Sequence, residues 1–345
     1  MPSFMESSSP ELDDILSRFR SKVFLPAHLS KQHKDLIYRS RHQKLLSTEP
    51  VSVNISGEDF RLEHIDRTKD IPDTVRGIWK AISLMQNKND WDNLAPLLEG
   101  LKDAKKELKP WFWSKLIRTA GRAGRLDIVL ELARRSSSTG FVLREPTIVA
   151  ELMWWIQYKA TNNNWTEKQT KQALTWAEMV IVLLEDPKHS GNKAILGDSD
   201  PRTLPEVIGV LLQLSSIRAA RHLDGKDEDG KVAEYAERLI GTSLDKTFGV
   251  NPVDSDSLPD VYEKCAYLRA IAPVLHGMKV AQQVLDPKSE VTQQLKSKIP
   301  ELESLAAVQR TLILELLGED VNLPLAVQHY DKLFDSGSLQ NPNTV

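Results

Sequence analysis

Cysteine is all but absent: the 345 residues hold one, Cys265. A lone thiol cannot close an internal disulfide, and a zinc site built on several thiolates is excluded. Within "YEKCAYLRAIAPVL" it reads as a small buried hydrophobe on a helix face, and it allows a reducing compartment without requiring one. Long apolar runs are missing as well. Arg, Lys, Asp or Glu interrupts each run before the roughly 18 to 20 residues a membrane-crossing helix needs. Nor does charge of one sign dominate. The net charge is −3 and the pI about 6.3, so a nucleic-acid surface must be a local patch. Apolar and charged fractions of 41% and 27% are ordinary for folded domains and argue against general disorder. The length suits one extended domain or two of ordinary size.

Recognisable catalytic signatures are lacking too. The eight histidines show no zinc-protease spacing, and no phosphate-binding glycine loop or nucleophile elbow occurs. Asp256, Asp260 and Glu263 are carboxylates without a partnered base in any motif. "DGKDEDGKV", Asp224 to Val232, has the composition of a calcium loop but not its spacing. With Gly230 as the turn glycine, the first ligand position falls on Gly225 and the twelfth on Ala236, so an acidic interhelical loop is expected. No catalytic residue, metal ligand, cofactor or small-molecule substrate is assigned, and the chain is read as a non-enzyme.

What is present is helical period. The chain is expected to be mostly α, an α-solenoid-like stack of helical hairpins with one small N-terminal β-hairpin. Residues 1–17 read as a mobile tail. Residues 18–70 read as a basic arm with a helix and the hairpin, 71–186 as helical repeats, 187–317 as a C-terminal helical region and 318–345 as a second tail. Ser30 is the expected N-cap of the arm helix. Val51, Val53 and Ile55 alternate before a Ser56-Gly57 turn, and Phe60 and Leu62 alternate after it, which is strand period. Thr166 with Gln169 and Thr203 with Glu206 have capping-box spacing, and Pro187, Pro252 and Pro287 follow expected helix ends.

The positive charge gathers early. Arg18, Arg20, Lys22, Lys31, Lys34, Arg39, Arg41 and Lys44, with His28, His33 and His42 nearby, lie in a stretch with almost no acid. Such a stripe can neutralise phosphates and fix register without reading sequence, or can meet an acidic protein surface. A solvated helix face or an organelle address is the competing reading. Glu6, Glu11, Asp13 and Asp14 are wrong for a typical cleaved presequence, while the Arg-rich segment after Asp14 leaves an uncleaved address open. Tyr38 is expected to pack beneath the hairpin, with base stacking as its alternative. Among Trp111, Phe112 and Trp113, and between Trp154 and Trp155, neighbours point about 100 degrees apart, so core packing is expected with an exposed anchor as the alternative.

"WSKLIRTAGRAGRLDIVLELARRSSSTG", Trp113 to Gly140, carries two apolar stripes: Trp113, Leu116, Ile117 and Ala120, then Leu126, Val129, Leu130 and Ala133, with a turn at Gly124. With Arg125, Asp127, Glu131 and Leu132 in register, it resembles the pentatricopeptide repeat, a helical hairpin of about 35 residues. The match weakens one period to either side. The resemblance implies mitochondrial gene expression, a ribosome-associated factor among the options; the basic arm is expected to touch structured RNA or an acidic surface and the helical array to hold protein partners of a larger assembly. Its base-reading positions would fall on Lys115, Lys80 and Glu151, with terminal positions near Pro110 and Glu145 or Pro146. These are not the small hydrogen-bonding residues that base edges require. A docking scaffold is therefore the leading expectation. A single-stranded RNA-binding factor for organellar transcripts and a cytoplasmic tetratricopeptide-like protein adaptor are the alternatives.

Overall fold

The structure, a computed structural model, describes residues 1–191, 197, 200–242, 261–318 and 322–334. Asp256, Asp260 and Pro252 lie outside the described residues. The chain is mostly helical, with one two-stranded sheet among the described residues. In order, α1 is Pro10–Phe19, α2 Leu25–His28, α3 Lys31–Tyr38 and α4 Gln43–Thr48; then come β1, Ser52–Ile55, and β2, Glu58–Arg61. The helices resume with α5 Thr74–Leu84, α6 Lys88–Asp92, α7 Leu94–Asp103, α8 Pro110–Arg122, α9 Leu126–Arg134 and α10 Ser136–Thr139. The remainder are α11 Pro146–Asn162, α12 Glu167–Glu185, α13 Pro187–Ser190, α14 Pro205–His222, α15 Lys231–Ile240, α16 Val261–Val284, α17 Glu290–Leu317 and α18 Leu325–Phe334. No described helix is long and apolar enough to cross a membrane.

Two compact units share the chain: Met1–Trp113 with Asp127–Val142, and Ser114–Leu126 with Leu143–Val345. The first corrects the expectation of a mobile tail over 1–17. Leu12, Leu16 and Phe19 recur at helical spacing on α1 and are fully buried. Upstream, the chain is laid onto α6 and α7. The Met5 amide donates to Asn93 Oδ1 at 2.8 Å, Asn93 Nδ2 donates to the Met5 carbonyl, and Ser8 donates through N and Oγ to the buried Asp90 carboxylate. A π-helical turn, Arg20–Phe24, joins α1 to α2 just before Pro26, which has no N–H to continue an α-ladder.

The hairpin pairs Val53 with Phe60 and turns on Ser56 and Gly57, both at positive φ, the geometry that keeps two strands twisted together. It closes over a small core of Leu25, Leu29, Ile37, Leu46, Leu62 and Ile65. The Ile65 amide donates to the Ile37 carbonyl at 2.8 Å, and Ser30 caps α3 by accepting from the His33 amide.

In the second unit α14 and α16 run parallel, since Gly209 meets Val274 and Gly277 meets Gln213. The helices α15 and α17 pack beside them and against each other, so stacked hairpins are the building plan of this unit. A Cβ on Gly277 would sit 2.8 Å from the Gln213 backbone nitrogen and 3.0 Å from its Cα, atoms that cannot step aside. Gly277→Ala is therefore expected to destabilise by about 2 to 3 kcal/mol. At Gly241, φ is −68° and the nearest atom lies at an ordinary 3.5 Å, so Gly241→Ala should change stability by less than about 0.5 kcal/mol. Urea unfolding of both variants checks the contrast.

The expected C-terminal tail, 318–345, also needs correction where it is described. Within it, α18 buries Ala326, Val327, His329 and Leu333, and Arg310 of α17 holds Asp331 through two hydrogen bonds. Neither expected capping box forms. Thr166 makes no cap bond and Gln169 instead accepts from Lys159, while Thr203 donates to the Gly197 and Asp200 carbonyls.

Candidate nucleic-acid interface

The eight cations of the N-terminal stripe lie on folded elements of the first unit. Packing of α3 and α4 against the hairpin core brings carboxylates of β2 and the residues after it to the first of them. Arg20 makes a two-pronged pair with Glu58, with contacts of 3.1 and 2.5 Å, donates to the Pro2 carbonyl and lies over the Phe60 ring. Lys22 reaches Glu63 at 3.5 Å, and Arg39 pairs with Asp35 one turn back on α3. Lys34 donates to the Ala27 carbonyl at 3.4 Å. Arg20, Lys22 and Arg39 are thus paired with carboxylates of the same module.

Arg18, Lys31, Arg41 and Lys44 are exposed, and none has a carboxylate partner among the described residues. Arg41 Nε donates to His42 Nε2 at 3.0 Å, which turns that ring nitrogen into an acceptor and leaves the rest of the guanidinium outward. Sequence reasoning missed Arg61, Arg67 and Lys69, exposed cations that the hairpin carries back to the same module. Their only signal was the strand period that folds them there. Arg67 lies 4.1 Å over the Tyr38 ring. Tyr38 is half-buried beneath it, its phenol pushed up by burial, with Arg67 opposing that shift. Exposed guanidinium and ammonium groups on a rigid base suit phosphate neutralisation.

Of the two apolar stripes, Trp113, Leu116, Ile117, Leu126, Val129, Leu130 and Ala133 are buried. Gly124 ends α8 at φ +71°, and the Arg125 amide donates to the Ala120 carbonyl, a closure that favours glycine. Two of the expected base-reading positions are occupied by internal contacts. Lys80 pairs with Glu11 at 2.7 Å, and Glu151 accepts from both Trp155 Nε1 and Arg269. Trp154 and Trp155 are both buried, whereas Trp111 is 50% exposed. In the acidic loop, Asp227 accepts from the Val232 and Ala233 amides at the start of α15 and Asp229 pairs with Arg218, so these carboxylates serve as cap and tether.

A second polar cluster, not visible in the sequence, lies inside the second unit. His276 Nδ1 is 3.2 Å from Gln213 Nε2 and its ring stacks on Trp165. His329 Nε2 is 3.2 Å from Gln157 Oε1, edge-on to Trp154. Burial, assisted by Arg221 and Lys279, drives His276 down to about 3; burial, with His276, Arg269 and Lys332, does the same for His329. Both rings are neutral near pH 7 and buried, which makes the cluster a packed polar core.

Comparison with known proteins adds two findings. The family model described as mitochondrial ribosomal protein mS27 (Mrp13) matches residues 1–321. The small ribosomal subunit protein mS27 of Neurospora crassa is 30% identical over 253 residues, which cover 69% of this chain and 64% of that protein, just under two thirds of its length. Since the family match takes in both the N-terminal module and nearly all of the second unit, the chain belongs to the mitochondrial ribosomal protein mS27 family.

Proposed function

We propose that the chain is a structural, non-enzymatic component of the mitochondrial small ribosomal subunit, with its N-terminal module set against ribosomal RNA and its helical hairpins against neighbouring proteins. Family membership supports the location and the assembly. The observation that carries the RNA contact is the sorting of cations in the module: Arg20, Lys22 and Arg39 meet carboxylates, while Arg18, Lys31, Arg41 and Lys44 face solvent. Contacts of this kind give affinity and register without sequence choice.

The Trp113 to Gly140 segment is read as a pentatricopeptide-like unit used for scaffolding. Its buried stripes and its positive-φ glycine support that reading. Lys80 and Glu151, tied to Glu11 and to Arg269, speak against base-by-base reading.

The test is charge reversal on the outward cations alone. Lys31→Glu with Arg41→Glu and Lys44→Glu is expected to weaken binding of the full chain to small-subunit ribosomal RNA roughly tenfold or more near physiological salt and to flatten its salt dependence. The melting temperature should stay unchanged. Equal binding by the variant would reject the module as the RNA contact.

A further inference from the structure

The connector between α7 and α8, Ala104–Lys109, carries three exposed lysines, Lys105, Lys106 and Lys109, against one exposed acid, Glu107, and no carboxylate pairs with any of the lysines among the described residues. It is rigidly set. α7 closes with the Lys105 amide donating to the Lys102 carbonyl and the Lys106 amide to the Leu101 carbonyl, with Lys105 at φ +56°. Lys102 itself is anchored on the Ser136 and Ser137 carbonyls. Immediately after the connector, Trp111 stands 50% exposed on the first turn of α8.

Trp111 is the outward member of a chain of rings. It lies 6.3 Å edge-on from Phe112, which is fully buried and 5.0 Å from Trp79, and Phe112 leads through Trp113 to Phe141 at 4.8 Å. A large indole kept half in water yet backed by a fixed aromatic cluster is pre-organised, so little side-chain freedom remains to be lost when a flat group stacks on it. The charge around it decides what that group is. The lysines two to six residues before it in the chain outnumber Glu107 and favour a polyanion, and an indole face served by nearby cations is the composition that holds unpaired nucleotides. A duplex offers its bases no free face, so the fitting segment is single-stranded.

We infer that Trp111, with Lys105, Lys106 and Lys109, forms a second RNA contact that stacks one unpaired nucleotide of a single-stranded segment. It rests on the reading of the chain as an RNA-bound ribosomal component, and it lies apart in sequence from the N-terminal cations.

The test uses the full chain and a short fluorescein-labelled oligouridylate. Trp111→Ala is expected to weaken binding roughly 5- to 100-fold while leaving the salt slope unchanged. Trp111→Phe, which keeps a stacking face, should lose less. Lys105→Glu with Lys106→Glu and Lys109→Glu should weaken binding and flatten the slope, by about 0.7 for each phosphate no longer neutralised. An unchanged circular dichroism melt verifies folding, and should the alanine variant melt early, Trp111→Gln replaces it. Equal oligonucleotide binding by wild type and the Trp111 variants overturns the inference. So does a Trp111→Ala chain that binds RNA normally but no longer enters small-subunit particles, since that outcome makes the surface a protein contact. If instead the wild-type chain fails to associate with small subunits while Trp111→Ala still loses oligonucleotide affinity, the ribosomal reading falls and the site stands.

Discussion

Replacing Asp90 with alanine is expected to destabilise the first unit by about 3 to 5 kcal/mol and to free the N-terminal strap, residues 3–9. The carboxylate is fully buried and accepts four hydrogen bonds: from Ser8 N at 2.8 Å on Oδ1, and from Ser8 Oγ, Gln86 N and Asn87 N at 2.7, 2.9 and 3.1 Å on Oδ2. Alanine leaves those donors without a partner and removes the half of the reciprocal cap in which the Asn87 amide donates to Asp90 Oδ2, while the backbone amide at position 90 still donates to Asn87 Oδ1. Asp90→Asn keeps the volume but turns one acceptor into a donor facing another donor, so it should restore part of the loss. Burial pushes the Asp90 carboxyl up, yet the donors from Ser8, Gln86 and Asn87 outweigh it and hold the group at about 2. A folded-state pKa below the unfolded value gives stability that is present above pH 4 and lost as pH falls toward 2. Hydrogen exchange of the strap amides, with urea unfolding, reads both effects. A loss under about 1 kcal/mol with the strap still protected would show that it is held elsewhere.

Acidification from pH 7 to pH 5 is expected to destabilise the second unit by about 2 kcal/mol for each of His276 and His329. Both are held neutral, with pKa near 3, by burial first and by cationic neighbours second. In the unfolded chain the same rings titrate near 6.5. Between pH 6.5 and 3 the unfolded state binds protons that the native state refuses, so stability falls as pH falls through that window. Neutral rings also fit the geometry, since His276 Nδ1 faces the Gln213 amide nitrogen and can only accept from it. The double variant His276→Gln, His329→Gln is expected to lower stability at pH 7 but to flatten the pH 7 to 5 slope by about 4 kcal/mol. An unchanged slope would mean that these histidines already exchange protons in the native state. The pH 7 to 5 interval lies above the Asp90 window, which opens only below pH 4.

Local patterns read well where one face of an element is buried and the other wet. The hairpin follows directly from Val51, Val53 and Ile55 with the Ser56-Gly57 turn. Single long-range contacts decide the elements that were misread. The acidic, Ser-rich start looked unable to fold because its partners, Asp90 and Asn93, lie more than 80 residues away and carry no pattern that announces them. Capping failed for the same reason: Gln169 fits a capping box by spacing, but Lys159 on α11 competes for it, while Asn87 and Asp90 form the real box.

The candidate site was half legible. Composition picked out the cationic stripe, but only the fold separates Arg20 and Lys22, neutralised by Glu58 and Glu63, from Arg18, Lys31, Arg41 and Lys44, which face water. The polar core of His276 and His329 was invisible, because Gln157, Gln213 and both histidines come from four helices with no shared motif.

We propose that this chain is a part of the mitochondrial small ribosomal subunit, held there through RNA. Gradient sedimentation of mitochondrial lysate containing the full-length chain tests it most directly, run at low salt, at high salt and after ribonuclease digestion. The account predicts migration with the small subunit at low salt and release to the top of the gradient by digestion. A chain that stays at the top in every condition, or one found only outside mitochondria, would contradict it.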